Sequence, residues 1–309
     1  MITTVTPNPM LDKTVYVDTI RRGMVQRATK IEMIVGGKGV NVSRQLKRLG
    51  IETVATGFIG GEVGTLIERL LDEEGITRDF IRIAGMTREG LTYRESDGTV
   101  TAVFEPPHRV THQETEQLVE RVKSMIPRSD WIVCSGSAPC PQADDVFATI
   151  VQLASERSVK TVVDSYGLVC RNAAQSNPTI LKMNKDEYEQ TFGKKILGQS
   201  DYHAAFDELL GQGISCCIVT DGPRALYAAT TEKRWKITPP RINSVNPTGS
   251  GDSMIAGMLY GYTHDWDTEK ALRFGVAAGA SNAQRWEVAN SSLEDITALE
   301  SQVTIEVLS

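Results

Sequence analysis

The sequence is poor in the residues that staple small or extracellular folds. Its five cysteines, at 134, 140, 170, 216 and 217, are odd in number and show no C-x-x-C spacing. That argues against a disulfide framework or a thiolate zinc site, and for reduced thiols in a reducing compartment. Only four histidines occur, at 108, 112, 203 and 264, and none lies in an H-E-x-x-H motif, so a histidine metal site has little support. Positive charge is in deficit. The formal net charge of −6 argues mildly against nucleic acid or an anionic membrane as partner, but not against small anionic ligands, which bind local fields. No run approaches the roughly 20 apolar residues of a membrane helix. Met1–Met10 also lacks the basic and apolar regions of a signal peptide. A cytoplasmic protein is expected.

What is present is the composition of an ordinary folded domain, with 309 residues, 40% hydrophobic and 23% charged, and length enough to bury a substantial core. Strand-like runs fall at Thr53–Ile59, Trp131–Ser135, Thr161–Asp164, Ile180–Met183 and Cys216–Thr220. They alternate with helical patterns such as Val40–Leu49, Gly64–Glu74, Asp144–Ala154, Asp201–Leu210 and Asp252–Tyr262. This rhythm predicts an α/β fold with a mostly parallel sheet covered on both faces, and binding sites at the carboxyl ends of its strands. No repeat or long linker interrupts the chain, whose length suits one large α/β domain or two average ones.

Two stretches break the rhythm. Lys13–Asp18 alternates like a strand without a helix after it. Leu91–Glu95 and Thr99–Phe104 flank Ser96-Asp97-Gly98, where Asp-Gly favours a tight hairpin. Together they predict a small antiparallel sheet built from insertions at about 11–35 and 86–106. It is either a surface hairpin or a lid that shields a reactive phosphoryl group from water.

The strongest chemical signal is Asn246-Pro-Thr-Gly-Ser-Gly-Asp252 leading into an apolar helix. Gly249 and Gly251 allow close ligand approach, and amides at a helix start converge on an anion. Asp252 is the oddity, because a carboxylate repels a phosphate. It is either a general base for an acceptor hydroxyl or a plain helix-start aspartate. Gly36-Gly-Lys-Gly-Val-Asn41 is a second glycine-rich approach to a helix. A P-loop needs Ser or Thr after Lys38, where Gly39 stands. A dinucleotide fingerprint needs a small residue at Val42 and a preceding strand, which is not apparent. A bare backbone facing a polyhydroxylated ligand, with Asn41 as donor and acceptor, is the alternative to a tight packing turn.

Asn184-Lys-Asp-Glu187 reads as a capping box or as a carboxylate holding magnesium-bound water. Thr220-Asp-Gly-Pro223 is a turn leaving a strand end. Asp12 suits sugar hydroxyls, Arg88 suits a phosphate as a bidentate fork, and Ser137 lies just past a strand. Each also has a bland reading as a turn or surface residue.

With these residues in view, Gly36-Gly-Lys-Gly-Val-Asn-Val-Ser-Arg44 and Thr248-Gly-Ser-Gly-Asp-Ser253 resemble the two signatures of the PfkB (ribokinase-like) carbohydrate kinases. Thr6-Pro-Asn-Pro-Met-Leu-Asp12 is similar to the opening of the branch with 1-phosphofructokinase, tagatose-6-phosphate kinase and the minor 6-phosphofructokinase. The resemblance covers essentially the whole chain and implies a single kinase domain over 1–309. It implies a three-layer αβα sandwich with a small β lid that also mediates homodimerisation in many relatives. It also implies Asp252 as base beside an anion hole of Gly249, Ser250 and Gly251. Sugar-phosphate contacts would come from Asp12, Gly37, Lys38, Asn41, Arg88 and Ser137. ATP would be met by Lys182, Asn184, Thr220, Asp221, Gly222, Gly251 and Gly279, and Mg²⁺ by Glu187, with a monovalent cation as a further expectation. Departures are Ser135-Gly-Ser-Ala-Pro-Cys-Pro141, Lys182-Met-Asn184, and Thr87-Arg-Glu-Gly90, which lacks a usual Asn on the substrate side. The expected reaction is phosphorylation of a ketohexose phosphate, fructose 1-phosphate first, then tagatose 6-phosphate or fructose 6-phosphate. A non-catalytic sugar-phosphate sensor is the reading from another class.

Overall fold

Strands buried on both faces are near-continuous apolar runs whose alternate side chains enter different cores, and the central strands here behave that way. Ile132 and Cys134 pack into one hydrophobic cluster, whereas Trp131 and Val133 pack into another; Cys217 and Val219 separate from Cys216 and Ile218 in the same manner. The computed structural model describes residues 1–308.

In chain order the strands are β1 (Ile2–Thr6), β2 (Met10–Val17), β3 (Lys30–Gly36), β4 (Thr53–Gly60), β5 (Ile81–Ile83), β6 (Arg88–Glu95) and β7 (Val100–Phe104). They continue as β8 (Trp131–Ser135), β9 (Lys160–Asp164), β10 (Ile180–Asn184), β11 (Cys216–Thr220), β12 (Leu226–Thr230), β13 (Arg234–Thr238) and β14 (Thr304–Leu308). The helices are α1 (Lys38–Arg48), α2 (Gly61–Glu73), α3 (His112–Met125), α4 (Val146–Ser155) and α5 (Gly167–Ala174). They continue as α6 (Lys185–Phe192), α7 (Gln199–Gly211), α8 (Ser250–Thr263), α9 (Thr268–Ala283) and α10 (Leu293–Glu300).

A ten-stranded sheet has the order β14-β13-β12-β11-β10-β9-β8-β1-β4-β5. It is parallel from β5 to β11, and β12, β13 and β14 add an antiparallel edge. One face packs against α3 to α7 and the other against α1, α8, α9 and α10, giving the three-layer α/β sandwich of the ribokinase-like fold. Among the described residues, no helix is long and apolar enough to cross a membrane.

The second sheet has the order β3-β2-β6-β7. The sequence predicts an antiparallel sheet, but its central pair, β2 with β6, runs parallel; only the outer pairs are antiparallel. Both central strands leave the carboxyl edge of the large sheet, β2 soon after β1 and β6 soon after β5, so they set out in the same direction. A strand also precedes the Gly36–Asn41 loop, contrary to the sequence reading: β3 runs into Gly36. Register sorts the faces, since side chains alternate along each strand. Asp12, Arg88 and Thr92 share one face; Met33, Lys13, Leu91 and Val103 form a row on the other.

Candidate active site

The start of α8 is built to be rigid. Asn246 Oδ1 accepts from the Thr248 amide at 3.1 Å, an Asx turn. Gly249 caps the helix with φ of +77°, a left-handed conformation that a side chain disfavours. A Cβ on Gly249 would also collide with Val288 Cγ1. Asn282 of α9, which the sequence reading missed, binds the loop from behind. Its Nδ2 donates to the Thr248 carbonyl at 2.8 Å and to Ser250 Oγ at 3.1 Å. Its Oδ1 accepts from the Ala289 amide at 2.7 Å.

Not every expected amide is free. The Ser250 N–H donates to the Pro247 carbonyl at 3.2 Å, so it does not converge on an anion as the sequence suggested. Among the described residues, the Gly251 and Asp252 amides have no loop carbonyl as acceptor. Both are therefore available to an acceptor from outside the loop.

Asp252 sits in the first turn of α8, only 5% exposed, and makes no capping bond. Its Oδ2 accepts from Asn41 Nδ2 at 2.8 Å. Burial, followed by the negative field of Asp164, lifts its pKa to about 6 against the opposing pull of Lys38, Asn41 and Lys182. A carboxylate with that proton affinity is poised to exchange protons near neutrality.

Beside it stand two lysines. Lys38 Nζ donates to Glu187 Oε1 at 2.7 Å and to Asp164 Oδ1 at 3.2 Å. Lys182 Nζ donates to the same Asp164 oxygen at 3.1 Å and lies where a Cβ on Gly251 would collide with it. Burial pulls the Lys38 pKa down, but Asp164, Glu187 and Asp252 together outweigh it and hold the ammonium charged. The capping box is formed as well. Asn184 Oδ1 accepts the Glu187 amide and Glu187 Oε2 accepts the Asn184 amide, both at 2.8 Å. Glu187 thus uses one oxygen for the helix and the other for Lys38.

On the small-sheet side, Arg88 Nη2 donates to the Asn8 carbonyl at 3.3 Å, and Asn8 Nδ2 donates to Ser137 Oγ at 3.0 Å. Arg88 Nε is buried without a partner among the described residues, and burial lowers the Arg88 pKa. Asp12 accepts from Thr92 Oγ1 at 3.2 Å, and its burial raises its pKa. Gly37 has φ of +131°, and a Cβ there would lie 2.7 Å from Thr6 Cγ2. On the opposite side Thr220 registers with Asn184 across β10 and β11, and Gly222 turns the chain at φ of +56°. Asp221 is held by Arg224 at 2.6 Å, which keeps its pKa low. Gly279 lets α9 approach α8, because a Cβ would stand 2.8 Å from the Ser250 carbonyl oxygen.

The structure therefore brings Asp252, Asn41, Lys38, Lys182, Gly251, Asn184 and Glu187 into one contiguous cluster. Among the described residues no side-chain hydrogen bond joins Asp12, Arg88 or Ser137 to it, and the Thr220–Gly222 turn adjoins it only through the pairing of Thr220 with Asn184. Asp164, at the end of β9, is central to the cluster and was not singled out from sequence.

A buried carboxylate thus stands beside two helix-start amides and two lysines, on a doubly covered sheet with a small sheet at its edge. The chain belongs to the pfkB family of carbohydrate kinases, whose sequence profile matches residues 8–295. It is 31% identical over 308 residues to a tagatose-6-phosphate kinase of Staphylococcus epidermidis, covering 99% of each chain. Among solved structures it is similar to a Thermotoga maritima protein described as a possible 1-phosphofructokinase. The two share a TM-score of 0.91 and 27% identity, over 100% of this chain and 99% of that one. Escherichia coli phosphofructokinase-2 in complex with fructose 6-phosphate matches with a TM-score of 0.87 and 26% identity, over 97% and 98% of the two chains.

Proposed function

We propose that the protein transfers the γ-phosphoryl group of ATP to a primary hydroxyl of a phosphorylated ketohexose, with fructose 1-phosphate as first candidate. The observation that carries this reading is Asp252: a buried carboxylate with a pKa raised to about 6, standing beside amides that attract anions. A pure binder of phosphate gains nothing from that negative charge, whereas a hydroxyl that must lose its proton does. Asp252 takes the proton. The Gly251 and Asp252 amides and the Lys182 ammonium offset charge on the transferring group, where such enzymes gain most.

Mg²⁺ fits this donor set as a nucleotide-borne ion. Among the described residues no group of three or more His, Cys, Asp or Glu side chains is placed to hold a metal, and Mg²⁺ prefers waters and substrate phosphates to a protein cage. Glu187 is the assigned holder of its water shell, since a carboxylate keeps lone pairs beyond the two donors seen here. When bound, the ion neutralises phosphate charge. Arg88, with an unpartnered Nε, is the assigned contact for the phosphate already on the sugar, with Asp12, Asn41 and Ser137 for hydroxyls. The nucleotide is assigned to the Thr220–Gly222 turn and the Gly279 surface.

The Staphylococcus relative, at 31% identity across 99% of both chains, favours tagatose 6-phosphate as a second reading. A coupled ADP-release assay with fructose 1-phosphate, fructose 6-phosphate, tagatose 6-phosphate and the free sugars separates these. Turnover on a ketohexose phosphate well above that on free sugars is expected; ADP release at the ATPase background for all of them overturns the proposal. Omitting potassium from the assay tests a monovalent-cation requirement. A second copy of the chain is the proposed protein partner, through the apolar face of the small sheet. The free cysteines, four of them buried, suit a cytoplasmic location.

A further inference from the structure

We propose that Asp164 is a positioning residue for phosphoryl transfer: one oxygen of its carboxylate anchors both Lys38 and Lys182, and so fixes where two positive charges stand around the amide pocket. This rests on the kinase reading of the same site and assigns a role to a residue that does not itself reach the substrate.

Asp164 ends β9 at the carboxyl edge of the large sheet and is 0% exposed. Its Oδ1 accepts from Lys38 at 3.2 Å and from Lys182 at 3.1 Å. Among the described residues its Oδ2 accepts from nothing. The anchor is itself fixed: its backbone carbonyl accepts from the Gly136 amide at 3.0 Å, and Ser165 Oγ donates to the Gly136 carbonyl at 2.7 Å. Burial alone would push its carboxyl up, but the two ammoniums more than offset this, and it stays ionised.

Stability is a poor reason to keep such a group. A buried ion pair recovers little beyond its desolvation cost, and two ammoniums on one oxygen leave the second oxygen unsatisfied. Placement is the better reason. A lysine head on a four-carbon stem has wide rotamer freedom, and charge aids transfer only if it already stands where negative charge will develop. Lys182 is held against Gly251, at the start of α8, while Lys38 is held between Asp164 and Glu187. The lysines come from α1 and β10, and Asp164 is the group they share.

The test uses Asp164→Asn, Lys182→Met and the double variant, with three readouts. These are kcat and KM, calorimetric binding of the ATP analogue AMP-PNP with magnesium, and melting temperature. Asp164→Asn should lower kcat about 10²-fold, the cost of losing one preorganised donor, with sugar-phosphate KM changed by less than about threefold. It should weaken AMP-PNP binding about tenfold, as for a disordered charged hydrogen bond. The double variant should lose less than the product of the two single losses in either measure, because Asp164 and Lys182 act as a unit, and what it loses beyond Lys182→Met is the share carried by Lys38. If Asp164→Asn folds poorly, the double variant removes the stranded ammonium with its partner and should recover the melting temperature without the turnover. AMP-PNP affinity within about threefold of wild type in Asp164→Asn, or losses that multiply in the double variant, would overturn the proposal. So would a wild-type chain that does not bind AMP-PNP. Wild-type binding of AMP-PNP with every sugar phosphate inert would sink the kinase substrate reading alone and leave the anchor standing.

Discussion

Asn41 and Asp252, 211 residues apart in the chain, meet through a 2.8 Å bond from Nδ2 to Oδ2. The amide cannot turn over, because Asn41 Oδ1 accepts from Arg44 Nη1 at 2.8 Å and the Arg44 guanidinium is clamped by Glu74. A relay from Glu74 through Arg44 and Asn41 thus holds one oxygen of Asp252 and leaves the other without a side-chain donor among the described residues.

Replacing Asp252 by Asn keeps the shape and removes the base. Loss of a positioned base costs about 10²–10⁴-fold, so kcat should fall in that range while AMP-PNP still binds. Steady-state kinetics beside calorimetry read the two effects separately. Near wild-type turnover would remove Asp252 from the chemistry.

The pH profile carries the same residue's signature. Asp252 acts as a base only when ionised, and its pKa is raised to about 6. Activity should therefore be flat above about pH 7 and fall with unit slope as pH drops through about 6. The Asn41 bond favours the ionised form, so Asn41→Ala should move the acid limb to higher pH. An acid limb that stays in place in Asn41→Ala would contradict the assignment.

Gly249→Ala tests whether the loop geometry matters for turnover. A left-handed alanine costs about 1–2 kcal/mol, and overpacking against Val288 adds about 1–3 kcal/mol. The melting temperature and kcat should both drop. Val288→Ala in the same chain should recover part of the stability by relieving the contact but not the backbone angle. Gly222→Ala, also at positive φ but with open space around it, should cost only the backbone share.

The central strands were legible because a strand buried on both faces is a short run of β-branched and apolar residues with turn signals at each end. The helix starts at Lys38 and Ser250 were legible from the glycines that lead into them, Gly37 and Gly249, which cap the two helices. The edge strands β12, β13 and β14 were not, since a half-exposed strand is defined by its neighbours rather than by its own composition. Nor was the parallel pairing of β2 with β6, which no local residue announces. Asp164 was invisible for the same reason: its partners Lys38 and Lys182 lie 126 and 18 residues away, and a strand-end aspartate carries no mark of the cations it will meet. Asn282 reads as an ordinary helix residue until α9 is laid against α8.

The outer face of the small sheet yields a prediction about assembly. Met33 and Val103 lie in one cross-strand row with Ile31 on the neighbouring row, and the three are 48%, 59% and 54% exposed. Exposed apolar side chains on one face, interrupted there by the Lys13–Glu89 ion pair, seek a partner, and a second copy of the same face satisfies them by two-fold symmetry. Asp12 and Arg88 project from the opposite face of the sheet, so pairing leaves the sugar side open. Light scattering should give a dimer for the wild-type chain. The double change Met33→Glu and Val103→Glu places like charges on both copies and should give a folded monomer with an unchanged far-ultraviolet spectrum. A wild-type chain that is monomeric at micromolar concentration, or a double variant that stays dimeric, would assign the apolar row some other role.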